Sequence, residues 1–194
     1  KEKEKKMYTL LLLLIYLAFI SLGLPDSLLG SAWPVMHKAF QVPLSYAGLV
    51  TMIISGGTIC SSLMSERLTK KFGTQIVTVF SVMLTAIALF GFSTASAFWM
   101  LCLWAIPYGL GAGAIDAALN NYVALHYNSR HMSWLHCFWG LGTIISPYVM
   151  SYALTTSVWQ NGYRMVSFIQ IGITLILFVT LPIWKVNKKE TAQE

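Results

Sequence analysis

Charge is what this chain has least of. Lysine, arginine, aspartate and glutamate make up 10% of its 194 residues, against 56% hydrophobic residues, whereas soluble domains carry about 25% charged residues. That deficit excludes a water-facing globular surface and implies an integral membrane protein. Cysteine is also scarce. Cys60, Cys102 and Cys137 are an odd, scattered set inside apolar runs, which gives neither a disulfide framework nor metal-ligand spacing, so they read as small packing residues. No phosphate-binding loop and no nucleophile–base pair appears in the polar stretches, which argues against an enzyme. The net charge of +6 does not point to nucleic acid, because the basic residues are not interleaved with aromatics on one face.

Long apolar runs are what the chain has instead. Requiring about twenty apolar residues per crossing gives six spans, roughly Met7–Met36, Ser45–Glu66, Gln75–Ala95, Phe98–Leu125, Ser133–Leu154 and Tyr163–Trp184. Backbone polar groups in hydrocarbon must be satisfied within their own segment, so all six are expected to be helices. Residues 1–6 and 185–194 are charged tails flanking a transmembrane domain over residues 7–184. The first apolar run is too long for a signal peptide and is retained as a span.

Lysine and arginine set the orientation. Lys1, Lys3, Lys5, Lys6, Arg67, Lys70, Lys71, Arg130, Lys185, Lys188 and Lys189 fall on one side, eleven of the thirteen, and only Lys38 and Arg164 fall on the other. Both termini are therefore expected in the cytoplasm, in the cell (inner) membrane.

The acids carry more information. Five of seven lie at the basic ends; Asp26 and Asp116 alone remain at membrane depth, with no lysine or arginine near the centre of any span. A charge there costs at least ~2.5 kcal/mol and usually faces a bundle interior or a water-filled cavity. Such a cavity repels anions, so a solute should be neutral or cationic. Asp116 lies in the glycine-rich run Gly109–Tyr127, one turn before Asn120 and Asn121. Gly109, Gly113 and Ala117 recur at four-residue spacing, which lets another helix approach closely. Gly56 and Gly57 in the second span read as a further close-packing site. Asp26 follows Pro25, which removes a backbone donor and should kink the first helix; Trp33, seven residues on, is expected on the same face. His136 and Trp139, in the fifth-span stretch Ser133–Gly142, are candidates to contact a ligand, and His136 to relay protons. His126, His131 and His37 fall in loops and are expected to be solvated, while Trp104, Trp159 and Trp184 lie near span ends as interfacial anchors.

There is also an internal echo. Gly23-x-x-Asp26 recurs as Gly113-x-x-Asp116, and Gly57-Thr58-Ile59 as Gly142-Thr143-Ile144. Three spans per copy make the copies inverted in the membrane, an arrangement found in secondary transporters with the substrate near the midplane.

These features resemble the N-terminal six-helix half of a major facilitator superfamily transporter. Ser62–Gly73 is similar to that family's signature cytoplasmic loop, with Arg67, Lys70 and Lys71 at the basic positions, Ser62 in place of the usual glycine and Glu66 in place of aspartate. The resemblance implies a gating ion-pair network at Glu66, Arg67, Lys70 and Lys71. Within the superfamily, Gly113, Asp116 and Asn120 are most similar to the fourth-helix motif of the fucose–proton symporter branch, and Asp26 to its first-helix aspartate. That likeness implies that Asp116 couples protons and that Asp26 and His136 contact a sugar; Asp26 is also expected to take part in proton coupling, and Trp33, Asn120, Asn121 and Trp139 are expected as neighbouring substrate contacts. The expected fold is all-α, an inverted 3+3 repeat. The expected partners are a small solute, the bilayer, and either a second copy or a missing C-terminal half, with protons as the only coupling species and no cofactor or metal. Two other readings stay open. One is an exporter of hydrophobic cations, although the antiporter motif is poorly kept after Ser146-Pro147. The other is a non-transporting membrane receptor or assembly module that reuses the half-fold.

Overall fold

The computed structural model describes residues 2–184; Lys1 and residues 185–194, with Lys185, Lys188 and Lys189 of the expected basic tail, lie outside the described residues. The described elements are α1 (Glu2–Gly23), α2 (Leu28–Ala39), a 3-10 turn (Leu44–Tyr46), α3 (Ala47–Phe72), α4 (Thr74–Thr94), α5 (Phe98–His126), α6 (Ser129–Thr156), α7 (Trp159–Val179) and the short α8 (Leu181–Trp184). Six crossings result, the first built from α1 and α2 together and the others from α3 to α7.

The boundaries move where polar side chains sit at a membrane surface. Residues 2–6 are the start of α1 rather than a separate tail, and Lys6 pairs with Glu2 one turn away at 3.2 Å. The SLMSERLTKKFG stretch is not a loop. Helix α3 runs through it to Phe72, so Gly73 alone joins α3 to α4, at φ 89°, a conformation that favours glycine. The sixth crossing starts a turn earlier than hydropathy suggests, because Gln160 and Asn161 occupy its first turn, where a helix end can meet water.

The first crossing is broken rather than kinked. Pro25 has no N–H to continue the helix, and the chain turns through residues 24–27, with the Asp26 N–H bonded to the Gly23 carbonyl and the Leu28 N–H to the Pro25 carbonyl, both at 3.2 Å. The break places Asp26 on an open surface of the bundle.

Between helices in lipid, close packing replaces the hydrophobic drive that operates in water. The echoed motifs supply it. A Cβ on Gly57 of α3 would sit 3.1 Å from the Leu110 nitrogen of α5, and a Cβ on Gly142 of α6 would sit 2.9 Å from the Leu24 nitrogen at the end of α1. Each Gly-Thr-Ile copy thus lets the second crossing of one three-helix unit press on the first crossing of the other. This is the geometry of an inverted 3+3 repeat. Gly109 and Gly113 meet backbone atoms of Ile54 and Thr58. Gly56, expected to pack with them, faces open space instead, since adjacent positions point about 100° apart on a helix.

Two large sets of buried side chains fill the interior, one toward the basic end around Ile15, Phe19, Ile115, Leu119 and Leu177, the other around Leu28, Met36, Leu89, Phe92 and Tyr163, with a small third at Val77, Ala114 and Ala118. Helix α4 is the most enclosed crossing, whereas α3 and α6 leave most of their surface uncovered. Packing runs α3 on α5, α5 on α1 and α1 on α6, so these helices share one open face.

Candidate functional site

Asp26 is the best-held polar group on that face. The close approach of α1 and α6 at Gly23 and Gly142 brings the break up to α6. There the Trp139 indole N–H donates to Asp26 Oδ2, and from α5 the Tyr108 hydroxyl donates to Asp26 Oδ1, each at 2.9 Å. One carboxylate thereby ties the first, fourth and fifth crossings. Tyr108 is buried, at 4% exposure, behind the carboxylate, while Trp139 stands on the open face at 39%. The sequence reading missed Tyr108. A signal existed: a carboxylate at membrane depth needs donors, and a buried tyrosine hydroxyl needs a partner.

Asp116 lies eight positions further along α5, about 12 Å nearer the basic end. It is half-buried, and the Asn120 amide donates both to its Oδ1 and to its backbone carbonyl, at 2.9 Å each. The Asn120 side-chain oxygen is buried and has no hydrogen-bond partner, so the asparagine turns its donor end to the carboxylate. His136, exposed on α6 and edge-on to Phe19 at 6.4 Å between ring centroids, lies within electrostatic reach of Asp116, as does Asp26. Among the described residues no lysine or arginine forms an ion pair with either aspartate. The result is a polar column down one face: Asp26 with Tyr108 and Trp139, then His136, then Asp116 with Asn120.

Two expected members stand elsewhere. Trp33 is buried in the cluster away from the basic end, donates its indole N–H to the Leu44 carbonyl and packs against Phe98. The seven-residue spacing from Asp26 presumes one continuous helix, and the break resets the register. Asn121 projects to a different side of α5. It lines a cleft of about 510 Å³ at the basic end, with Ser62, Ser65, Glu66, Thr69, Lys70 and Thr74. Glu66 and Lys70 form an exposed ion pair there, whereas Arg67 does not line the cleft and Lys71 lies over the Phe72 ring, 5.2 Å from its centroid.

The histidines expected to be solvated are tied in. His131 Nδ1 lies 2.9 Å from the Tyr16 hydroxyl, His126 stacks on Tyr122 with ring centroids 4.3 Å apart, and His37 Nδ1 is 3.2 Å from the Val42 carbonyl. Trp159 and Trp184, expected as interfacial anchors, are both buried. Cys60 and Cys137 are exposed rather than packed; Cys102 is half-buried.

A column of carboxylates and hydrogen-bonding groups without a cation can bind a neutral polar solute, bind a cation, or exchange protons. Comparison with known proteins gives the family. Residues 15–194 match the Major Facilitator Superfamily. The chain is 22% identical to the Glucose/mannose transporter GlcP of Bacillus subtilis (strain 168) over 182 residues, 92% of this chain and 44% of that protein. It is 23% identical to Bypass of stop codon protein 6 of Saccharomyces cerevisiae (strain ATCC 204508 / S288c) over 163 residues, 82% of this chain and 33% of that protein. The chain therefore spans less than half the length of the curated relatives it matches.

Proposed function

The chain belongs to the major facilitator superfamily, a family of transporters rather than enzymes, and from that premise we propose that it is one six-helix half of a proton-coupled transporter for a small neutral polar solute, a sugar being the class that fits best. The observation that carries this reading is the column on the open face, which has two carboxylates, an imidazole, an amide and an indole and, among the described residues, no lysine or arginine paired with the carboxylates. Carboxylates and amides match sugar hydroxyls, and an exposed indole suits the apolar face of a sugar ring. The similarity to a glucose/mannose transporter supports the same class.

In this mechanism Asp116 is the proton carrier. Loss of water favours the neutral form of a carboxyl group, so a carboxylate alternately wetted and enclosed takes up and releases a proton as the cavity changes sides. Asn120 reads that change, because its amide donates to the ionised carboxylate. Asp26 and Trp139 receive the solute, with His136 between the two ends. The second half that closes the pathway is either a further segment or a second copy. The basic end faces the cytoplasm, and the Glu66–Lys70 end of α3 belongs to the gate.

The test is sugar uptake into vesicles carrying the paired protein under an imposed pH gradient. Gradient-driven accumulation is expected, and Asp116→Asn should abolish it while leaving sugar binding; accumulation that survives this substitution removes Asp116 from the mechanism. The second reading, an exporter of hydrophobic cations, draws on the same unpaired carboxylates and on the exposed Trp139, Tyr148 and Tyr152 of α6. Saturable binding of a lipophilic cation such as tetraphenylphosphonium, with none of glucose, would favour it.

A further inference from the structure

Asp26 has two oxygens, and they are not held alike. Oδ1 accepts from Tyr108, whose ring is buried and lies against Phe92 with centroids 6.2 Å apart. This donor has nowhere to go. Oδ2 accepts from Trp139, whose indole stands on the open face and can swing away. An ionised carboxylate with both oxygens free accepts a planar two-donor fork such as a guanidinium. Each carboxylate oxygen accepts two hydrogen bonds, so with Oδ1 already accepting from behind a fork must share that oxygen with the tyrosine hydroxyl, whereas a single hydroxyl can use Oδ2 alone.

We propose that Tyr108 is a specificity-determining positioning residue: by drawing on Asp26 Oδ1 from inside the bundle it leaves Oδ2 as the better acceptor for the solute, so the site takes one hydroxyl in exchange for the Trp139 indole and holds two-pronged cations less tightly than a free carboxylate would. This deepens the proposed function and rests on its placement of the solute at Asp26. Selection against forked cations comes from the geometry of the free acceptor. Tyr108 never touches the solute; it acts through Asp26.

The experiment titrates the purified paired protein in detergent with D-glucose and with methylguanidinium. It compares the wild type with Tyr108→Phe, Trp139→Phe and Tyr108→Phe combined with Asp26→Asn. In parallel, the Trp139 indole N–H is followed in spectra of 15N-tryptophan-labelled protein, its signal identified by its loss in Trp139→Phe. Tyr108→Phe removes one hydroxyl and keeps the ring. It should raise affinity for methylguanidinium about tenfold or more, the effect of a charge-assisted hydrogen bond, and shift the indole signal with no solute present. Adding Asp26→Asn should erase the gain. Trp139→Phe frees Oδ2 for any donor but leaves Tyr108 on Oδ1, so its gain for methylguanidinium should not exceed its gain for glucose.

Unchanged cation affinity together with an unmoved indole signal in Tyr108→Phe overturns the proposal. So does a cation gain in Trp139→Phe that exceeds its glucose gain, a result that counts even if the tyrosine variant does not fold. If the wild type binds no glucose while Tyr108→Phe still gains the cation and shifts the signal, the sugar reading falls and the positioning role stands.

Discussion

At the scale of single residues, neighbours along one helix are readable in the sequence and neighbours across helices are not. Asp116 and Asn120 are four positions apart, and that spacing alone puts them on one helix face; the structure joins them by a hydrogen bond. Asn121, one position on and expected in the same site, lies in a separate cleft. Asn120→Ala should therefore lower gradient-driven sugar uptake about tenfold, as loss of a hydrogen bond to a charged group does, whereas Asn121→Ala should leave it within about twofold. Uptake by the two variants under one pH gradient decides this, and equal losses would return Asn121 to the site. Tyr108 is invisible to sequence reasoning because it meets Asp26 across 82 positions of sequence, and neither periodicity nor motif reports such a meeting. Trp33 is misplaced for the converse reason, since a helix that breaks at Pro25 carries no register forward from Asp26.

Elements are more legible than sites. The apolar runs mark all six crossings, because length and hydropathy are what a bilayer imposes. Helix ends are less readable, since first and last turns are polar where they reach water; α3 and α7 both run past the apolar stretch. The glycines show how far pattern goes. Gly57, Gly109 and Gly113 do sit where α3 and α5 touch, but Gly56 does not, and sequence alone could not tell the two adjacent glycines apart. A matched pair of variants measures the difference. Gly109→Ala drives a Cβ into the Ile54 backbone, a contact that cannot yield as a flexible side chain would, and should cost about 1–3 kcal/mol with a lower melting temperature in detergent. Gly56→Ala meets nothing within 4 Å and should melt within a degree or so of the wild type, as surface substitutions usually do. Equal melting temperatures would mean that α3 and α5 are not locked together at Gly109.

For the whole molecule, the repeat is visible in sequence as two short echoes and becomes meaningful once both glycine motifs are seen to make equivalent contacts. What the sequence could not convey is that the bundle is one-sided, closed around α4 and open along α3 and α6, because an uncovered face depends on how all the crossings assemble. On the proposed pairing, the detergent-corrected mass of the purified particle should exceed that of one 21.6 kDa chain by a second half or a second copy. A strictly monomeric particle that still moved sugar would refute the pairing. Membrane-impermeant labelling of single cysteines introduced at Gln41 and at Asn128 tests the orientation: the first should react from outside intact cells, the second only after permeabilisation.

The open face also has a consequence for the life of the protein before it ever works. A half-bundle leaving the translocon would present Asp26, His136 and the indole of Trp139 to lipid tails, and ionisable groups in hydrocarbon are what membrane quality control can read as unfinished assembly. On the proposed pairing, covering that face would govern survival as well as activity: chains left uncovered should be cleared quickly, supply of the covering half should lengthen their lifetime, and the residues proposed to shape the solute site would double as the mark by which the cell recognises unfinished assembly.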